Sequence, residues 1–145
     1  MSQTHKKIAV GFIVIALLGL LWMFGRPKRA EAITNKREYA AGSSLDVGIQ
    51  SNLGKAICFS SCYPYLLQKE EDGNGNWQNY TNAECLSSDV VSTCVPDKGF
   101  KEFRLSLDSV ETGAHRMMIP ICLDCQIGQG FRQDEILYSN IFQVR

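Results

Sequence analysis

The sequence predicts an all-β domain, an antiparallel β-sandwich, preceded by a single N-terminal transmembrane helix. Three observations lead there. Residues 8–24 form an unbroken apolar run, apolar residues alternate with polar ones in several short stretches after residue 44, and six cysteines all follow the apolar run. Hydrophobic residues make up 45% of the 145. That is enough for a packed core, in a chain long enough for one domain and an anchor.

The anchor comes first, after a short tail at residues 1–7. Ile8 to Phe24 reads IAVGFIVIALLGLLWMF, without a charged side chain. As a helix it reaches roughly 25 Å, slightly short of the ~30 Å hydrocarbon core. Snorkelling of Lys7 and Arg26 closes the gap, and Trp22 suits an interfacial position. Residues 25–43 then read as a juxtamembrane tether, in which Pro27 ends the helix. Ala30-Glu31-Ala32 has the small-x-small pattern of a cleavage site, so cleavage after Ala32 is the rival reading. Arg26, Lys28 and Arg29 stand between that site and the apolar run, which favours an uncleaved signal anchor.

A formal net charge of zero conceals an asymmetry. Residues 1–37 carry seven Lys/Arg against Glu31, whereas residues 38–145 carry eight Lys/Arg against fourteen Asp/Glu. An acidic domain repels phosphates, so nucleic acid is not an expected partner. Juxtamembrane charge alone leans slightly toward a cytoplasmic domain. The cysteines Cys58, Cys62, Cys85, Cys94, Cys122 and Cys125 point the other way. An even count in a small exported domain is the pattern of a disulfide framework, and it places the C-terminal domain outside the cytoplasm, in the periplasm or at the cell surface.

The domain, residues 44–145, reads as strands and turns. Leu45, Val47 and Ile49 alternate with polar neighbours. Ala56 to Phe59 is a short apolar run after a Ser51-Asn52-Leu53-Gly54 turn. Tyr63 to Gln68 follows, with Pro64 marking an irregular or edge start. Glu70-Glu71-Asp72-Gly73-Asn74-Gly75-Asn76 is a hairpin signal before Trp77. Alternation returns at Phe103, Leu105 and Leu107, at His115, Met117, Ile119 and Ile121, and from Ile136 through Tyr138, Asn140 and Phe142 to Val144. About seven such strands in a hundred residues indicate a sandwich.

Four local features fit one family. They are the Gly75-Asn76-Trp77-Gln78-Asn79-Tyr80 hairpin, the Asp97-Lys98-Gly99 turn, the Gly113-Ala114-His115-Arg116 strand start, and the closing Tyr138-Ser139-Asn140-Ile141-Phe142-Gln143-Val144. Over residues 44–145 the chain resembles the small, often membrane-anchored bacterial immunoglobulin-like (Ig-like) domains. The resemblance implies an Ig-like sandwich in a cell envelope and no catalytic residues. Members usually carry Tyr where this chain has His115, so an aromatic contact closing one end of the sandwich is expected to be altered.

The cysteine spacing leaves several pairings open. The arrangement favoured is Cys85 with Cys94, and Cys58 and Cys62 matched to Cys122 and Cys125. Local Cys58–Cys62 and Cys122–Cys125 bridges are the alternative. A different reading makes Cys58, Cys62, Cys122 and Cys125 a four-thiolate zinc site, which requires reduced thiols and a cytoplasm-facing domain. A third takes Cys122-Leu123-Asp124-Cys125 as a thiol–disulfide exchange centre, although Asp124 disfavours a thiolate there.

Other chemistry is thin. His115 and His5 are the only histidines, and no nucleophile elbow, phosphate loop or EF-hand spacing is present. Glu70-Glu71-Asp72 reads as a solvated hairpin tip rather than a calcium site. Asn79-Tyr80-Thr81 matches an N-glycosylation sequon, which matters only in a eukaryotic secretory route. Tyr63, Tyr65, Trp77 and Tyr80 bracket one hairpin, as an exposed partner-binding patch or as cross-strand packing pairs. The expectation is a non-enzymatic module without a cofactor. Residues 8–24 would hold it in the lipid bilayer, and its work would be structural or recognitional, toward an envelope or surface protein or polymer.

Overall fold

The computed structural model describes residues 29–80 and 88–145. The expected anchor at residues 8–24 and Cys85 lie outside the described residues. Among the described residues no helix is long and apolar enough to cross a membrane.

Two sheets pack face to face. The smaller has the order β1-β3-β8, from Ala30–Thr34, Ser44–Ser51 and Phe100–Ser106, all antiparallel. The larger is organised by β9 (Gly113–Leu123), the longest strand among the described residues. One side of β9 pairs with β5 (Leu66–Glu71) and then β4 (Ile57–Ser60); the other pairs with β11 (Phe142–Val144) and then β10 (Glu135–Tyr138). β7 (Val91–Val95) adds an edge beside β4, and β6 (Asn76–Asn79) a hairpin partner to β5. β2 (Glu38–Tyr39) lies parallel to β11.

The alternating residues meet between the sheets as expected. Leu45, Val47 and Ile49 of β3 are buried, as are Met117, Ile119 and Ile121 of β9 and Ile57 and Phe59 of β4. Phe59 meets Phe103 edge-on across the layers, with ring centroids 5.2 Å apart. The hairpin signal is also realised. Glu71 pairs with Asn76, and the intervening tip has positive φ at Asp72, Gly73 and Gly75. The Glu70 carboxylate accepts the Gly75 N–H at 2.9 Å, so part of the acidic cluster closes its own turn.

Two stretches differ from the sequence reading. Residues 30–39, placed in the tether, contain β1 and β2, which pair with β3 and β11. The period-two signal is faint in β1 because its inward residues are Ala32 and Thr34, whereas its one large apolar residue, Ile33, is 57% exposed. The closing stretch from Ile136 to Val144 is also broken in two. Ile136 and Tyr138 point outward, Phe142 and Val144 inward, and the face reverses at Ser139-Asn140-Ile141.

That break closes one side of the sandwich. Ser139 Oγ accepts the Met117 N–H at 2.9 Å. Asn140 accepts the Thr34 N–H through Oδ1 and donates from Nδ2 to Thr34 Oγ1, both at 2.8 Å. The Ser-Asn pair therefore clamps β1 of the small sheet to β9 and β10 of the large one.

Candidate recognition face and cysteine cluster

The outer face of the large sheet carries both candidate sites. Its residues are those that alternate with the core positions: Arg116 and Met118 on β9, Leu66 and Gln68 on β5, Trp77 on β6 and Tyr138 on β10. The Arg116 guanidinium lies 4.3 Å from the ring centroid of Trp77 and 4.3 Å from that of Tyr138. Held between two rings, it also donates from Nε to Gln68 Oε1 at 2.8 Å. Gln68 in turn donates from Nε2 to Asn79 Oδ1 at 2.9 Å. No carboxylate pairs with Arg116 among the described residues. The result is a cation fixed in orientation by aromatic rings, an arrangement worth about 0.5–1 kcal/mol per ring contact at exposed sites.

Next to this strip lies an apolar groove of 390 Å³. Tyr63, Leu66, Met118, Pro120 and Phe131 line it, with Ser60, Asp89 and Gln133 at the polar margin. Ser60 shapes that margin. Its Oγ donates to Asp89 Oδ1 at 2.7 Å and accepts the Cys62 and Tyr63 N–H groups at 3.0 and 2.7 Å.

The four aromatic residues singled out in the sequence divide between the two faces. Tyr63 and Trp77 belong to the outer face. Tyr65 and Tyr80 pack against the core instead, beside Leu105, Leu107 and Val110. Burial pushes the Tyr65 phenol above its ordinary pKa. The Tyr80 hydroxyl donates to the Ser109 carbonyl at 3.0 Å and accepts the Glu111 N–H at 2.9 Å, which pins the β8–β9 connection. Arg116, Met118 and Tyr138 complete the patch. The alternation of β9 could have marked Arg116 and Met118 as the side opposite Met117 and Ile119, but only the fold brings them next to Trp77.

The cysteine cluster occupies the same sheet nearer β7. Cys94 of β7, Cys58 of β4 and Cys122 of β9 stand in register, in one row across three neighbouring strands. Cys58 is bonded to Cys94, and Cys122 to Cys125. Cys62 is also disulfide-bonded. The favoured sequence pairing of Cys58 with Cys122 or Cys125, and of Cys94 with Cys85, is thus corrected. The local Cys122–Cys125 bridge is the part of the alternative that the structure contains. Spacing alone could not decide because Cys58 has a cysteine neighbour on either side, and which one bonds depends on strand order.

A loop covers this row. After β9, residues 124–134 fold back across the edge strand. Gly128 N–H donates to Val91 O at 2.9 Å, Val91 N–H to Gln129 O at 2.8 Å, and Phe131 N–H to Asp89 O at 3.0 Å. Asp124, with φ of 52°, makes the tight turn that lets Cys125 return to Cys122. Its carboxylate accepts the Ala56 N–H at 3.1 Å. The Cys125 carbonyl oxygen rests 3.3 Å from Cys58 Sγ and 3.7 Å from Cys94 Sγ. Val91 and Phe131 complete a small second core around the four sulfurs.

Asp134 approaches Cys122 and Cys125 closely enough to form a ligand trio. It is already engaged, however. Arg132 donates to it from Nε at 2.7 Å and from Nη2 at 3.1 Å, and the Leu123 N–H adds a bond at 2.8 Å. These partners, Arg132 foremost, hold its carboxyl below the usual range. The four-thiolate set of Cys58, Cys62, Cys122 and Cys125 is likewise committed to sulfur–sulfur bonds in this state.

His115 is fully buried at the opposite end of β9. Its ring stacks on Phe142 at 6.0 Å and meets Tyr80 edge-on at 5.8 Å. Nδ1 lies 2.9 Å from the Gly113 carbonyl, whereas Nε2 has no partner among the described residues. Desolvation holds its pKa below the ordinary value; the Gly113 carbonyl opposes that shift and Lys69 reinforces it.

No protein-family model and no curated protein matches the sequence. Among solved structures, the chain is similar to part of the Pseudomonas fluorescens alkylpurine DNA glycosylase AlkC bound to DNA containing an abasic site analogue, with a TM-score of 0.42 and 9% identity. That match covers 86% of this chain and 33% of the glycosylase chain, so this chain spans about a third of that protein's length. It is also similar to a CARDB domain from Pyrococcus furiosus, with a TM-score of 0.34 and 10% identity over 79% of this chain and 93% of that one. Both are distant likenesses of chain trace, at identities where few side chains are shared.

Proposed function

We propose that this chain is a membrane-tethered Ig-like module of a bacterial envelope that recognises a partner outside the cytoplasm through the outer face of its larger sheet. The oxidised state of its cysteines carries this reading. Cys58–Cys94 and Cys122–Cys125 are bonded, and Cys62 is bonded as well, a state that persists in oxidising compartments and is rare in the cytosol. The apolar run 8–24 supplies the tether.

The outer face supplies the recognition. Arg116 offers a cation already oriented between Trp77 and Tyr138, and the groove beside it offers apolar depth. A partner segment with a carboxylate next to an apolar side chain fits both. Aromatic and Arg anchors of this kind concentrate binding energy in protein interfaces. The acidic balance of the domain disfavours polyanions.

The test uses the full chain in intact cells. After mild reduction, a maleimide that cannot cross bilayers is expected to label the domain, and alkaline washing is expected to leave the chain in the membrane pellet. Labelling that appears only after permeabilisation would invert the topology and overturn the envelope reading. Photocrosslinking from position 138 is expected to capture a partner, and Arg116→Glu to reduce that capture at least tenfold.

A further inference from the structure

We infer that the four clustered cysteines form a partner-switching disulfide site, in which reduction of Cys122–Cys125 by a dithiol transfers the Cys58 bond from Cys94 to Cys122. The placement of Cys58 is the basis. It lies between Cys94 and Cys122 in one cross-strand row, with neighbouring strands about 4.8 Å apart. Thiol–disulfide exchange proceeds by attack of a thiolate on one sulfur of a disulfide. The incoming sulfur must arrive opposite the departing one. Along this row Cys122 lies on the side of Cys58 away from Cys94, the side from which an incoming sulfur displaces Cys94.

Exposure sets the order of events. Cys122 is fully buried in β9, whereas Cys125 lies on the covering loop and is buried less completely, so the external dithiol attacks Cys125. The bond from the dithiol sulfur to Cys125 Sγ forms, the Cys122–Cys125 bond breaks, and Cys122 leaves as a thiolate beside Cys58. Cys122 then attacks Cys58 Sγ, forming Cys58–Cys122 and expelling Cys94 as a thiolate that takes a proton from solvent. The second thiol of the dithiol releases Cys125 as a thiol and closes the reagent's own disulfide. The net change is two electrons: one disulfide of the cluster reduced, one dithiol oxidised.

The consequence is mechanical. The 124–134 loop loses its tie to β9, and the edge strand β7 loses its tie to β4. Phe131, on that loop, lines the apolar groove. A two-electron signal therefore reshapes the surface beside Arg116. The chemistry does not depend on the membrane reading, because it can be followed in the purified chain.

The experiment is limited reduction of the full chain in detergent with dithiothreitol, followed by acid quench, alkylation and a non-reducing peptide map. The expected result is a Cys58–Cys122 peptide with alkylated Cys94 and Cys125. Alkylation confined to Cys122 and Cys125, with Cys58–Cys94 intact, would overturn the proposal. Cys125→Ser gives a second reading without reductant. Its unpaired thiol is expected to be shared between Cys122 and Cys94, and label found on Cys122 alone counts against exchange. If that variant fails to fold, the wild-type map still decides.

Discussion

The two faces of the larger sheet are held down by different physics. On the inner face, Ile57, Phe59, Met117, Ile119 and Ile121 bury against the smaller sheet, and the stabilisation is apolar area removed from water. On the outer face near β7, Val91 and Phe131 are the apolar residues beside the cysteines among the described residues, and the covering loop is rich in Gly and Gln. Sulfur–sulfur bonds and a few backbone hydrogen bonds hold it instead. The lesson is that a loop too polar to bury itself can still be fixed over a sheet if covalent ties restrict the unfolded chain.

Truncation of the inner face should have the largest effect. Phe59→Ala removes a fully buried ring that contacts Phe103 and is expected to cost about 3–5 kcal/mol, measured by urea denaturation of the oxidised protein. Phe131→Ala, on the covering loop, is expected to cost about 1 kcal/mol. Equal losses would mean that the loop is a second true core, and the contrast would fail.

The disulfides sharpen the same contrast. Cys58–Cys94 joins residues 36 apart, and Cys122–Cys125 residues 3 apart. Chain-entropy arguments then give about 4 kcal/mol for the first and about 2 kcal/mol for the second. Replacing each pair by alanines and comparing urea midpoints measures the ratio. A larger loss from the short bridge would show that its work lies in native packing of the loop rather than in the unfolded ensemble.

What the sequence revealed follows the same division. Period-two patterning exposed β3, β8 and the inner half of β9 because large apolar residues line those faces. β1 stayed hidden because Ala32 and Thr34 carry its burial, and the break at Ser139-Asn140 stayed hidden because hydrogen bonds rather than apolar area make the clamp. The oxidised framework was legible from the even cysteine count. Its connectivity was not, because Cys58 is equidistant in register from two partners. Half of the aromatic patch was legible: Tyr63 and Trp77 lie on the outer face, but Tyr65 and Tyr80 turned inward, and a residue's sheet face is fixed only once its strand is paired.

His115 sets a pH-dependent difference between the two ends of β9. Its imidazole is buried with Nε2 unpartnered, and desolvation keeps its folded pKa below the ordinary value. The unfolded chain titrates near 6.5. Above that value both states are neutral and the stability is fully present. As pH falls through about 6.5 toward the folded value, the unfolded chain takes up a proton that the folded chain resists, and stability is lost. Lys69 and Glu111 act on the ring electrostatically, in opposite directions, and Glu111 is itself held low by its ion pair with Lys69. The carboxylates Asp46, Glu111 and Asp134 titrate in a lower window, and their exposure keeps their contributions small. Thermal midpoints are expected to fall between about pH 7.5 and pH 5.5, and His115→Phe to flatten that slope. An unchanged slope in the variant would place the titration elsewhere.

Arg116→Ala should change stability least, by about 1 kcal/mol or less, because the side chain belongs to neither the inter-sheet core nor the cysteine cluster. Its ring contacts lie toward solvent, whereas the Gln68 side chain it bonds is buried, and that bond sets the upper end of the loss. Stability and function separate at this position. If the outer face is the recognition surface, the variant that barely moves the urea midpoint is the one that most weakens partner capture from position 138. Phe59→Ala, by contrast, would reduce capture only in proportion to the unfolded fraction. If Arg116→Ala leaves capture intact while its fold is unchanged, the cation held between Trp77 and Tyr138 is a packing device, and recognition must lie elsewhere on the molecule.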